Sequence, residues 1–106
     1  MDKYHHCQRL LDELQQTMQQ NQQWEISSPS AQALASVEPF AIDTLSCAQW
    51  LQWIFIPKMT QLIASHFPLP TQFEIAPYVE EAMKNEQGYE GILAVCNEFD
   101  NLMKAK

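Results

Sequence analysis

Glycine is almost missing from this chain: Gly88 and Gly91 are the only two among 106 residues. That scarcity excludes a phosphate-cradling Walker loop, a dinucleotide fingerprint and an Asn-Gly hairpin, each of which needs glycine at fixed places. Basic residues are scarce as well. Lys3, Arg9, Lys58, Lys84, Lys104 and Lys106 stand against 13 acids, for a net charge of -7 and a pI near 4.7. A nucleic-acid binder needs a clustered basic stripe that displaces counterions from phosphates, so direct nucleic-acid binding is not expected. No run reaches the roughly 18 apolar residues of a membrane span. The polar N-terminus also lacks the apolar stretch of a signal peptide. Cys7, Cys47 and Cys96 are odd in number and without metal-like spacing, and they read as buried free thiols in a reducing compartment. The expectation is one cytoplasmic, soluble domain over residues 1–106, with no cofactor.

What is present is one very apolar segment. From Trp50 to Ile56 the only polar residue is Gln52, and two of the three tryptophans, Trp50 and Trp53, lie there. A stretch apolar on every side belongs in an interior, most simply as the central helix of a small bundle. Strand-like alternation bounded by turn residues is missing. The chain reads as all-α, a compact bundle of four main helices with one or two short extra helices.

The spacing predicts a first helix from about residue 2 to about residue 22, with Tyr4, Cys7, Leu11, Leu14 and Met18 as its stripe. It fades into a tract in which seven of the nine residues from Gln15 to Gln23 are Gln or Asn, read as a solvated helix end. Trp24 to Ser30 is a connection that can cap a short helix over Ala31 to Ala35. Asp43 or Thr44 is the expected N-cap of the central helix. Pro57 must disturb that helix, because it removes one hydrogen bond and clashes with the carbonyl of Trp53; either a kink or a fresh start follows. Met59, Leu62, Ile63 and Phe67 carry the stripe onward to Pro68-Leu69-Pro70, with His66 in the last turn. A short helix over Ile75 to Asn85 has Pro77 in its first turn. A last helix from Tyr89 to about Ala105 carries Ile92, Val95, Cys96, Phe99, Leu102 and Met103.

Pro39-Phe40, Asp43-Thr44, Trp50-Leu51-Gln52-Trp53, Ile56-Pro57-Lys58-Met59, Leu69-Pro70, Phe73, Ala76-Pro77-Tyr78 and Glu80, with Trp24 upstream, form a specific set. On these residues the chain resembles the YqcC-like family of small bacterial proteins. At position 58 the resemblance leads one to expect arginine, and lysine grips a carboxylate or phosphate less well in a bidentate manner. The resemblance implies a cytoplasmic helical bundle. It also implies a link to tRNA modification by association, since members are described beside a tRNA pseudouridine synthase. This chain has neither the length nor the strands of such an enzyme.

Several constellations invite a chemical reading. His5-His6-Cys7 are neighbours on one helix and diverge by about 100°, so they do not converge on an ion. Cys47 and Cys96 lie on apolar stripes, which raises a thiol's pKa and suits packing rather than nucleophilic attack. Glu80-Glu81 and the acids from Glu86 to Glu90 fall on polar helix sides. From Glu74 to Asp100 seven acids face one base, Lys84; that half is a solvated face or a contact face for a basic partner. Gln49 and Gln52 beside the tryptophans need hydrogen-bond partners or an opening. Either Gln52 serves the backbone freed at Pro57, or Gln49, Trp50, Gln52, Trp53 and Lys58 border a groove for a partner helix or a small ligand. The leading expectation is a non-enzymatic protein-interaction domain whose partner is an RNA-modifying enzyme or another protein with a basic face. The alternative is a bundle that binds a small molecule near Trp50 and Trp53. The apolar belt is wholly internal or is partly used in a homodimer.

Overall fold

The computed structural model describes residues 3–69 and 74–104. Residue 2 and Ala105, named above as helix ends, and the motif residues Pro70 and Phe73 lie outside them. The amphipathic stripe of the N-terminal segment forms α1, Lys3–Gln20, which buries Cys7, Leu10, Leu11, Leu14 and Met18. It packs mainly on α6, Tyr89–Lys104, which turns Ile92, Val95, Cys96, Phe99 and Met103 inward. Between them come α2 (Ala31–Leu34), a 3-10 turn at Pro39–Ala41, α3 (Cys47–Trp50), a π turn at Leu51–Phe55, α4 (Ile56–Ala64) and α5 (Ala76–Ala82). Residues 47–64 form one continuous helical run. Counted so, the described residues hold five helices, four of them seven residues or longer, and no strand. The radius of gyration, 13.3 Å, is that of a close-packed domain of this length.

The helix runs on across Pro57 rather than restarting there. Its turn widens, so that the Ile56 N–H bonds the carbonyl of Leu51 five residues back. A widened turn immediately before the proline ring relieves the clash that a regular turn would impose. The widening also explains the buried stripe. Cys47, Leu51, Phe55 and Met59 recur in steps of four, which overshoot a turn of 3.6 residues; one wide turn brings them back into line. The central helix is not wholly enclosed. Leu51, Phe55, Ile56 and Met59 are buried, whereas Trp50, Trp53 and Ile54 are half-buried.

The N-cap of this helix is Ser46, not Asp43 or Thr44. Ser46 Oγ accepts from the Gln49 N–H at 3.1 Å, and Gln49 Oε1 accepts from the Ser46 N–H at 2.9 Å, a reciprocal capping box. Asp43 and Thr44 instead tie down the preceding loop, through Ser36 and the Ala33 carbonyl.

With so little glycine, left-handed turns fall to other residues. Gln22 (φ 61°) and His66 (φ 55°) close α1 and α4. In each case the next N–H reaches back five residues, Gln23 to Met18 at 2.8 Å and Phe67 to Leu62 at 3.0 Å. This is the Schellman closure, in which glycine is the usual residue. His66 therefore lies past the helix end rather than in its last turn, with its ring 5.8 Å from that of Tyr4. Gly88 (φ 81°) sits where the chain enters α6, and a Cβ there would fall 2.4 Å from the Asn21 side chain.

All three thiols are buried and free. Burial pushes Cys7 up to about 11 and Cys47 up to about 12, and Cys96 is raised further by burial and by nearby acidic groups.

Candidate functional site

The Schellman closure at Gln22 turns the chain off α1, and Trp24, Glu25 and Ile26 follow as a short irregular strap held on the central helix. Gln52 anchors the strap. Its side-chain amide accepts from the Glu25 N–H at 2.8 Å and donates to the Glu25 carbonyl at 2.7 Å. Gln52 thus satisfies residue 25 rather than the backbone near Pro57.

Gln49, Gln52 and Trp53 lie three and four residues apart, on one face of the helix, and all three reach Glu25. Gln49 Nε2 donates to both carboxylate oxygens at 3.3 and 3.2 Å, and Trp53 Nε1 donates to Oε1 at 3.1 Å. Both donors are neutral, so they aim the carboxylate without cancelling its charge. No ion pair reaches Glu25 among the described residues. Around it Trp24, Ile26, Trp53, Ile56 and Pro57 line an open groove of about 510 Å³. Ile26 is fully exposed beside the held carboxylate.

Trp50 and Lys58 do not join this site. Trp50 turns to the other side, edge-on to Phe40 at 4.9 Å and stacked on Phe55 at 5.5 Å. Phe40 in turn stacks on Tyr78 at 4.4 Å. Phe40 (φ 58°) and Ala41 (φ 48°) hold consecutive left-handed conformations in the 3-10 turn. Such backbone persists only where packing over-determines it, and the aromatic cluster supplies that packing. Lys58 is exposed, outside the groove lining, and makes no hydrogen bond or ion pair among the described residues.

Two residues that matter were not singled out from the sequence. Glu25 was part of a connection, although its place beside Trp24 was a signal. Asp100 was counted with the acidic face. It is buried instead, and its carboxylate accepts from the N–H groups of Ile75 and Ala76, both at 2.8 Å, at the start of α5. Burial raises its pKa above the ordinary aspartate range, against the lowering effect of those two bonds. Its position four residues after Cys96, on the apolar stripe of α6, was the readable sign. The other six acids between Glu74 and Glu98 are exposed. Two of them are paired, Glu74 with Lys104 at 3.1 Å and Glu81 with Lys84 at 3.4 Å.

A second hollow of about 510 Å³ lies beside Asn21, Lys84, Glu86 and Gly88. Tyr89 is the one aromatic in its lining, and the remaining lining residues are polar, charged or glycine. Among the described residues no three His, Cys, Asp or Glu side chains gather as metal ligands would, and no helix is long and apolar enough to cross a membrane.

Comparison with known proteins adds relatives to this geometry. The chain is 53% identical over 74 residues to an uncharacterised protein of Haemophilus influenzae, covering 70% of each chain. It is 34% identical over 93 residues to YqcC of Escherichia coli, covering 87% of this chain and 85% of that one. The solution structure of Escherichia coli YqcC superposes with a TM-score of 0.86 at 31% identity, over 98% of this chain and 90% of that chain. A tRNA pseudouridine synthase C of Pectobacterium carotovorum is 28% identical over 87 residues, which are 82% of this chain and 23% of that protein. A family model described as tRNA pseudouridine synthase C matches residues 6–102. By that match and those relatives, the chain belongs to the DUF446 family, the family of YqcC.

Proposed function

We propose that this chain is a non-catalytic interaction domain that docks on a protein partner, and that the partner is an RNA-modifying enzyme of the tRNA pseudouridine synthase class. The observation that carries the docking part is the strap at Glu25. A rigidly held carboxylate, two half-buried tryptophans and a fully exposed isoleucine surround one open groove. Aromatic anchors in a preformed setting are what protein interfaces use at their centres. The partner class is favoured by the Pectobacterium protein, in which a segment like this chain makes up 23% of a polypeptide named tRNA pseudouridine synthase C. Joining in one polypeptide there supports an association between a domain of this kind and such an enzyme here. The buried, high-pKa thiols speak against nucleophilic catalysis by cysteine.

The small-molecule reading has less support. The space at Trp50 is filled by Phe40, Phe55 and Tyr78, and the hollow at Trp53 is an open groove rather than an enclosed cavity.

The test is affinity capture of the tagged protein from its own cells, with and without ribonuclease, read by mass spectrometry. A pseudouridine synthase retained after ribonuclease treatment supports the proposal. Its loss on ribonuclease treatment, or its absence from both samples, contradicts the partner assignment.

A further inference from the structure

We infer that the Glu25 groove receives a basic, apolar segment of a protein, with an apolar side chain between Ile26 and Trp53 and a lysine or arginine on the Glu25 carboxylate. This rests on the interaction reading above and adds the chemistry of what is bound and where. Charge complementarity selects the occupant. Glu25 is held by two neutral donors and by no cation among the described residues, so its negative charge remains for a partner. The chain's net charge of -7 reinforces the preference at longer range.

The groove is also preorganised. Gln52 fixes the backbone of residue 25 on both its N–H and its carbonyl, so little ordering remains to oppose binding. Its apolar part is too exposed to be core. Ile26 contributes nothing to packing, Trp53 is half-buried, and Pro57 is exposed on the adjoining turn. An RNA strand would bring phosphates to a carboxylate that has no counter-charge, which argues for a protein segment over a stacked base.

The probes are two short synthetic peptides, one alternating leucine with lysine and the other alternating leucine with glutamate. Each is titrated into the full chain and followed by calorimetry and tryptophan emission. The lysine peptide is expected to bind at least about tenfold more tightly than the glutamate peptide, with affinity that falls as salt rises. Glu25→Gln keeps an acceptor for Trp53 and removes the charge, and it should weaken the lysine peptide about tenfold. Ile26→Ser alters only a fully exposed side chain and should weaken it as well. Equal affinity for the two peptides, or lysine-peptide binding unchanged in both variants, overturns the inference. The same two variants are then offered to a purified tRNA pseudouridine synthase. If the synthase binds wild type and both variants alike, the groove assignment fails and the interaction reading stands. If it binds none of them while the lysine peptide binds through Glu25 and Ile26, the partner assignment fails and the groove stands.

Discussion

Replacing Gln52 by alanine should cost about 3 kcal/mol of folding stability, a sum assembled bond by bond. Gln52 is 4% exposed, and its amide makes one hydrogen bond to each backbone group of Glu25, at 2.8 and 2.7 Å. Each contributes about 1 kcal/mol net. The lost methylene adds about 0.8 kcal/mol. The full penalty for sealed, unpaired groups does not apply, because the strap is partly exposed and water reaches residue 25 once the glutamine is gone. On a domain of this size the melting temperature should fall by roughly 10–20 °C. Gln52→Glu separates the two bonds: it retains an acceptor for the Glu25 N–H, loses the donor to the carbonyl, and adds a charge near the Glu25 carboxylate. Urea unfolding of the three proteins measures the stability, and native tryptophan emission reports whether the Trp53 indole has lost its carboxylate. A Gln52→Ala protein within about 0.5 kcal/mol of wild type, with unchanged emission, would refute the claim that Gln52 holds the strap.

Three further outcomes follow from the same structure. Burial raises the Asp100 carboxyl above the ordinary aspartate range, so the folded state binds that proton more tightly than the unfolded chain. The linked stability is fullest below the unfolded value and fades as pH climbs through the raised one. Asp100→Asn should remove that pH slope, read as the difference in melting temperature from wild type between about pH 3 and about pH 7; an unchanged slope contradicts it. Gln22→Gly relieves a left-handed residue that is exposed and should add about 1 kcal/mol, seen as a higher urea midpoint at unchanged slope. Native Cys7 and Cys47, pushed up to about 11 and about 12, should resist iodoacetamide at about pH 8 and react only as fast as the chain opens; rapid native labelling would place them elsewhere.

Much of the fold was legible because helical stripes are a strong signal. Most of the periodic residues of α1 and α6 are buried, although Tyr4 and Leu102 are only half-buried and Leu10 joins the core beside them, and the Ser27-Ser28-Pro29-Ser30 run does cap α2, with Ser30 Oγ accepting from the Ala33 N–H. Boundaries were less legible. Several residues before Cys47 could cap a helix, but the Ser46-to-Gln49 spacing is the local signature of the capping box that forms, while Asp43 and Thr44 serve a loop. The steps of four from Cys47 to Met59 encoded the π turn, but a reading that assumes 3.6 residues per turn passes over it. The site was half visible. Gln49, Gln52 and Trp53 share a helix face in any helical register, whereas Glu25 is 24 to 28 residues away and comes beside them only through the non-glycine turn at Gln22. Asp100 looked like one more surface acid because charge is read along the chain, while burial is decided by position on the stripe.

Docking through the Glu25 strap and the tryptophan face beside it is open to a direct test. Amide shifts of the isotope-labelled full chain, recorded while a purified tRNA pseudouridine synthase is added, map the contact residue by residue. Docking at this face predicts that the changes concentrate at residues 24–26 and 49–57. Changes confined to the exposed acids of α5 and α6, or no changes at all, would contradict it.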